Sequence, residues 1–426
     1  MKAAFIIAEY NPFHNGHLFQ IDRTRQALHP DVVACIMSGN FTQRGSPAIV
    51  DKWARTKMAL ESGADLVVEL HPVYAMASAD YFAMGAVGTA AQFGVPGWLS
   101  FGAEAGPEAM GLLSEIGKLL ATEPEPFKSR LAFYLGQGFS FARARASAAA
   151  DCYTVKHTVR GETYKRQVID LLTRPNNILA IEYLKALHRI QTTIQPYVIK
   201  RIGGDDRAEA VSGSYVGAAA IRQVLEHATS GLPQELAEIM PASACRVLAE
   251  EMAQSRGPVF QSDYFLQLTT ILRRMDTEQI RRYPDVTEGL ENRIAAEART
   301  AGDFEMLVDA VSSKRYPKAR IRRILSAILL GFDNGTLERL SAKAGPPYIR
   351  VLGFNSAGRQ MLSYAKETSA VPVITRFAAL KKSDCPRTKA FVQLEARATD
   401  IYITAFREQR ERCGGSDFLR GPVIMP

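Results

Sequence analysis

The first hundred residues repeat one pattern. Short, almost wholly apolar runs at residues 3 to 8 (AAFIIA), 32 to 37 (VVACIM), 66 to 70 (LVVEL) and 98 to 101 (WLSF) are separated by stretches of helical periodicity. Apolar runs of this length without alternation fit strands buried on both faces. The stretches between them, 15 to 28, 51 to 62 and 79 to 93, read as helices; the second opens at Asp51 and stops at Gly63, and the third stops at Gly94. Strand and helix in alternation predict an α/β fold with a parallel sheet, whose ligand lies beyond the C-terminal strand ends. Residues 107 to 190 read as helical, with basic residues at Arg143, Arg145, Lys156, Arg160, Lys165 and Arg166. Tyr197 to Ile199 adds a strand ending at Lys200 and Arg201, and Gly213 to Arg222 reads as a loop and helix. From about residue 231 the alternation stops and long helical patterns take over, with one further strand at Tyr348 to Phe354. The expected organisation is therefore a ligand-binding part, 1–230, and a mainly helical part, 231–426.

Three of the strand ends carry unusual loops. They are Asn11 to His17, Ser38 to Gly45, and Gly102-Ala103-Glu104. Their glycines, amides and hydroxyls let a backbone approach phosphates closely. The first loop places His14 and His17 around Asn15-Gly16 where an amphipathic helix begins. Unpaired amides, the positive helix end and two imidazoles there suit an anion. Gly16 reads as the residue that lets the chain turn tightly, so that both rings converge on one phosphoryl group. No Walker A motif is present and no GxGxxG follows the first strand, which excludes a P-loop and an ordinary dinucleotide site. Donors placed in advance would stabilise charge on a transferring phosphoryl group. No covalent nucleophile is evident, so the expected chemistry is direct displacement. Pro175-Asn176-Asn177 opens another helix, with one asparagine as its N-cap and the other left to reach a nucleotide.

Composition narrows the class of partner. With 47% hydrophobic and 23% charged residues the chain is an ordinary globular protein, while its net charge of +8 favours a polyanionic partner. The run at 312 to 323 gathers Lys314, Arg315, Lys318, Arg320, Arg322 and Arg323 around Tyr316. Such a run reads either as a surface that grips RNA and stacks a base or as a solvated helix face. A second basic patch surrounds Arg376, Lys381, Lys382, Arg387 and Lys389. The five cysteines are scattered without a CxxC pair, which predicts neither a disulfide framework nor a zinc site and points to a reducing cytoplasm. The apolar run before Glu9 is too short for a secretory or membrane segment, and no later stretch is long and apolar enough to span a bilayer.

The segments AEYNPFHNGH, SGNFTQRGSPA, LSFGAEAG, RPNNILAIEYL, TEGLENRI and KRYPKARIRR occur in this order along the chain. Together they resemble the bacterial tRNA(Met) cytidine acetate ligase family, and HxGH alone marks the wider nucleotidyltransferase superfamily. The resemblance implies an N-terminal Rossmann-like nucleotidyltransferase domain followed by a mainly helical, tRNA-binding region. It implies an enzyme that activates acetate with ATP, accompanied by Mg2+, to acetyl-adenylate, and then acetylates N4 of the wobble cytidine of elongator tRNA(Met). The ATP site it implies comprises Ile7, Ala8, Glu9, Tyr10, Asn11, Pro12, Phe13, His14, Asn15, Gly16, His17, Leu18, Phe19, Gln20, Gly102, Asn176 or Asn177, Arg201 and Ile202. The resemblance implies that His14 and His17 carry the catalytic role. The chain departs from related nucleotidyltransferases at Gly217-Ala218-Ala219-Ala220, where a Ser/Thr-rich turn is usual before the Ile-Arg pair, and at Ser46, where an acidic residue is usual. Two other classes fit the residues without the resemblance: an adenylyltransferase of a small phosphorylated coenzyme precursor, and a non-catalytic, nucleotide-regulated RNA-binding protein.

Overall fold

Strand β1 (Ala3–Ala8) lies at the centre of a sheet, between β2 (Val32–Ser38) and β4 (Gly97–Ala103) and parallel to both. The computed structural model describes residues 1–154, 161–202, 215–228, 231–340 and 345–426; Lys156, Arg160 and Gly213 lie outside the described residues. Next to β2 runs β3 (Leu66–Leu70), and next to β4 runs β5 (Gln195–Lys200), again parallel. All four strand ends that carry the unusual loops or Arg201 therefore meet on one edge, as the alternation predicts. Helices Asn15–Leu28, Lys52–Glu61 and Ala79–Gln92 connect the strands. Asp51 caps the second of these by accepting the Ala54 N–H at 2.8 Å.

Both faces of the sheet are covered, which is why the strands are continuously apolar. Ala3, Phe5, Val32, Ala34 and Ile36 pack into one core, while Ala4, Ile6, Val33, Cys35 and Met37 pack into the other. Successive residues point to opposite faces, so each run feeds both layers.

The change of pattern near residue 231 does not interrupt the sheet. Strand β6 (Ile349–Phe354) adds to the β3 edge in antiparallel register, with β7 (Val373–Ile374) and β8 (Val423–Ile424) beside it. The sheet is thus mostly parallel, in the order β5-β4-β1-β2-β3-β6-β7, with β8 paired to β6. A buried ionic cluster secures the added edge. Lys52 Nζ meets Glu69 at 2.8 Å and Asp417 at 2.7 Å, and Arg350 meets Glu69, Glu395 and Asp417 at 3.2, 2.7 and 2.6 Å. The Tyr348 hydroxyl donates to Glu395 at 2.6 Å.

Candidate active site

The turn after β1 fixes the chemistry of both histidines. His14 is the N-cap of the helix Asn15–Leu28, and its Nδ1 accepts the Gly16 N–H at 3.1 Å. The His14 N–H in turn donates to Nδ1 of His17 at 3.2 Å. With both Nδ1 atoms accepting, each neutral ring carries its proton on Nε2 and can donate that proton to a ligand. The rings stack, with centroids 3.7 Å apart. Burial pushes the His14 pKa down to about 3, aided by the charges of Arg201 and Arg222; burial likewise holds His17 well below the usual range. They are therefore neutral donors at physiological pH, and fixed positive charge comes from the arginines.

Gly16 has a different role from the turn expected of it. It sits in the first helical turn, and a Cβ there would lie 2.9 Å from His14 Cε1. Glycine makes room for the ring that caps the helix. The backbone strain is at Tyr10, whose φ of 47° is unusual for a non-glycine residue. Packing holds it there: the Tyr10 ring lies 4.7 Å from Phe13 and 4.9 Å from His17, and its hydroxyl is 3.2 Å from Cys35 Sγ.

On the other side of β1, Glu104 organises the nucleotide edge. Its carboxylate accepts the N–H groups of Asn176 at 3.1 Å and Asn177 at 2.7 Å, so this long-range side chain caps the helix Pro175–Ile190. The N-cap residue by position is Arg174, not an asparagine as expected. Asn177 is fully buried, and its Oδ1 accepts the Ala105 N–H at 3.0 Å. Asn176 instead lines the cavity, where its Oδ1 accepts from Arg201 Nη1 at 3.0 Å. Of the two asparagines, Asn176 is the one placed to meet a ligand. A Cβ on Gly102 would lie 3.1 Å from Arg201 Cγ, so glycine lets the arginine cross the strand end.

The loop after β2 closes the third side. Arg55, fully buried, donates from Nε to Val50 O at 3.1 Å and from Nη1 to Glu9 O at 2.7 Å and Ser38 O at 2.9 Å. It also donates from Nη2 to Gly39 O. The Glu9 carboxylate accepts the Gln43 N–H at 2.7 Å. The helix Ala218–Glu226 begins at Gly217 without a side-chain cap, and Ala218, Ala219 and Arg222 line the cavity. Backbone amides of this first turn stand where the missing hydroxyls were expected, beside Arg222, which donates to Asn11 O at 2.8 Å.

These parts enclose a cavity of about 290 Å³ lined by His14, His17, Glu9, Gln43, Asn176, Arg201 and Arg222, with Phe101, Leu179 and Tyr183 as an apolar wall. A smaller recess of about 60 Å³ shares His14, His17, Gly102 and Arg201 with it and continues past Ile202, Phe19, Tyr215 and Gly217. Ile7, Ala8, Tyr10, Asn11, Gly16 and Gln20 also line one or both. Pro12, Phe13, Asn15 and Leu18 line neither. Phe13 is core, and Asn15 turns away to bond Glu238 O at 2.9 Å and Ile239 O at 3.0 Å. Leu179 and Tyr183 escaped sequence reading, although with Asn176 they share one helix face by their spacing of three and four.

Within the basic run at 312 to 323, Tyr316 is the residue that departs from the stacking role expected of it. Tyr316 is turned inward, donating its hydroxyl to Thr287 O at 3.0 Å, and Arg320 covers its ring at 4.9 Å. It has no face for a base. Arg322 pairs with Glu305 at 2.6 Å and Arg323 with Asp285 at 3.5 Å, and Arg320 donates to Asp285 O at 2.7 Å. Arg315 pairs with Glu288 and Lys318 with Asp309, while Lys314 is exposed. Arg315 and Tyr316 thus fasten onto the TEGLENRI segment, and Arg320 and Arg323 onto Asp285 just before it.

A parallel sheet with an HxGH turn at its central strand and arginines around the neutral histidines defines a nucleotidyltransferase. Consistently, the family model described as HIGH Nucleotidyl Transferase matches residues 1–417. The tRNA(Met) cytidine acetate ligase of Acetivibrio thermocellus is 43% identical over the whole of both chains. That of Halothermothrix orenii is 36% identical over all of this chain and 99% of its own. The crystal structure of Thermotoga maritima TmcAL bound with alpha-thio ATP superposes with a TM-score of 0.90 at 31% identity, covering both chains completely. This chain belongs to the HIGH nucleotidyl transferases and, among them, to the tRNA(Met) cytidine acetate ligase family.

Proposed function

We propose that the protein is an ATP-dependent ligase that activates acetate as acetyl-adenylate and acetylates N4 of the wobble cytidine of elongator tRNA(Met). The observation that carries this reading is the full-length kinship, which extends through the helical half that a small-molecule adenylyltransferase would not need. In this reading adenosine lies in the recess by Gly102 and Ile202, and the α-phosphate faces His14, His17, Arg201 and Arg222. The Nε2–H donors and both guanidiniums stabilise the oxygens as the acetate carboxylate attacks phosphorus and pyrophosphate leaves. Among the described residues no three His, Cys, Asp or Glu side chains gather into a metal site. Magnesium would enter with the triphosphate and would offset charge on the leaving pyrophosphate. The wall of Phe101, Leu179 and Tyr183 keeps water from the acetyl-adenylate until cytidine N4 attacks its carbonyl carbon and AMP departs. Residues 1–230 perform activation and residues 231–426 bring the RNA. The cytoplasm, where tRNA is found, is the location that belongs to this reading, and all five cysteines are free thiols.

The test supplies ATP, labelled acetate and bulk tRNA, followed by nuclease digestion. Label in N4-acetylcytidine is expected, and His17→Ala should lower acetyl-adenylate formation about 100-fold or more while the protein stays folded. ATP consumed with another small acid, and no labelled nucleoside, would favour an adenylyltransferase instead.

A further inference from the structure

We propose that a basic groove opening off the catalytic cavity seats the single-stranded RNA that flanks the reacting cytidine; this rests on the function proposed above and names where its second substrate enters. The groove encloses about 460 Å³ and shares Arg44, Ser46, Ala219 and Arg222 with the cavity. It leaves the cavity through Arg44 and Arg222, whereas the adenosine recess leaves it through Gly102 and Arg201. The two substrates therefore approach the histidines by separate openings.

The groove has the chemistry that unpaired RNA requires. Arg44, Arg222, Lys318 and Arg322 line it against two carboxylates, Glu226 and Glu305, and Arg322 already bonds Glu305 at 2.6 Å. Positive charge remains in excess, at a spacing that spans both halves of the chain. Phe260, half-buried on the wall, offers an aromatic face of the kind Tyr316 does not. Phosphates held by guanidiniums and a base stacked on a ring are the general means of binding single strands. The groove is also rigid. Gln261 Nε2 donates to Gly45 O at 2.8 Å, its Oε1 accepts from Arg322 at 2.8 Å, and Val259 N–H donates to Ile49 O at 2.9 Å.

Gln223→Glu and Ala319→Glu each add a negative charge to the groove at positions that line it. With a transcript of elongator tRNA(Met), each is expected to weaken binding about ten-fold and to flatten the plot of log affinity against log salt by roughly one unit. Phe260→Ala is expected to weaken binding about ten-fold with the salt slope retained, as loss of stacking requires. Melting temperatures establish that the variants are folded. Wild-type affinity and slope in both acidic variants would overturn the proposal. Acetyl-adenylate formation by the wild type without RNA is measured alongside: its failure removes the proposed function, while the groove stands or falls on the salt slopes.

Discussion

Three histidines that the fold holds neutral are expected to make the protein acid-labile. Besides His14 and His17, His71 is held neutral, its pKa pushed down to about 4 by burial; its Nδ1 accepts the Val73 N–H at 3.3 Å and its other nitrogen lies 2.9 Å from Phe391 O. Above the ordinary value of 6.5 neither folded nor unfolded chain binds these protons, so stability is unaffected. Below it the unfolded chain takes up protons that the folded state refuses, and stability falls until the folded pKa values near 4 and 3 are reached. Glu69 opposes this with one proton, because burial raises its pKa to about 7. The net expectation is a loss of roughly 2 kcal/mol per pH unit between about pH 6 and 4.5. Urea midpoints that stay level down to pH 5 would refute it. At this scale the sequence revealed the histidines, because HxGH is local. It misled on Gly16, whose need is set by a ring folded back against it, and it marked the loop holding Glu104 without revealing its capping role, because its partners lie 72 and 73 residues away.

The loop between β2 and the helix Lys52–Glu61 is one element on which residues from beyond 231 converge. Ser326 Oγ and Gln261 Nε2 both donate to Gly45 O, the Tyr402 hydroxyl donates to Ala48 O at 2.8 Å, and Asn40 Nδ2 to Thr399 Oγ1 at 3.2 Å. Gly45 has φ of 78°, and a Cβ there would approach the Arg323 backbone to 2.6 Å. Gly45→Ala is accordingly expected to cost about 2 kcal/mol or more and to weaken tRNA binding, read by chemical denaturation and by affinity for the transcript. An unchanged denaturation midpoint would mean that the loop yields freely. Strands β1 to β4 were legible because burial on both faces leaves apolar runs, while the part-exposed edge strand β5 showed only as Tyr197 to Ile199. The antiparallel seat of β6 was not, since pairing direction leaves no local trace, and β7 and β8 are two residues each.

For the whole molecule the buried ionic cluster sets the stability of the joined sheet. Two cations, Lys52 and Arg350, face three carboxylates, Glu69, Glu395 and Asp417. Arg350→Met leaves the carboxylates with a single lysine and is expected to cost about 3 to 5 kcal/mol. Asp417→Asn removes the surplus negative charge and is expected to cost only about 1 kcal/mol. Equal losses in urea unfolding at pH 7.5 would disprove this asymmetry. Pattern and charge divided the chain near residue 231 because strand alternation ends there, yet residues that complete the sheet come from beyond it. Arg420 Nη1 reaches Asp51 Oδ2 at 2.9 Å across 369 residues of chain, and Asp51 is the cap of the helix that follows the loop beside the histidines. On a ribosome, the histidine turn therefore emerges long before the residues that lock its surroundings. A chain cut short before Arg420 carries the histidine turn while Asp51, the helix cap beside its loop, still lacks that partner.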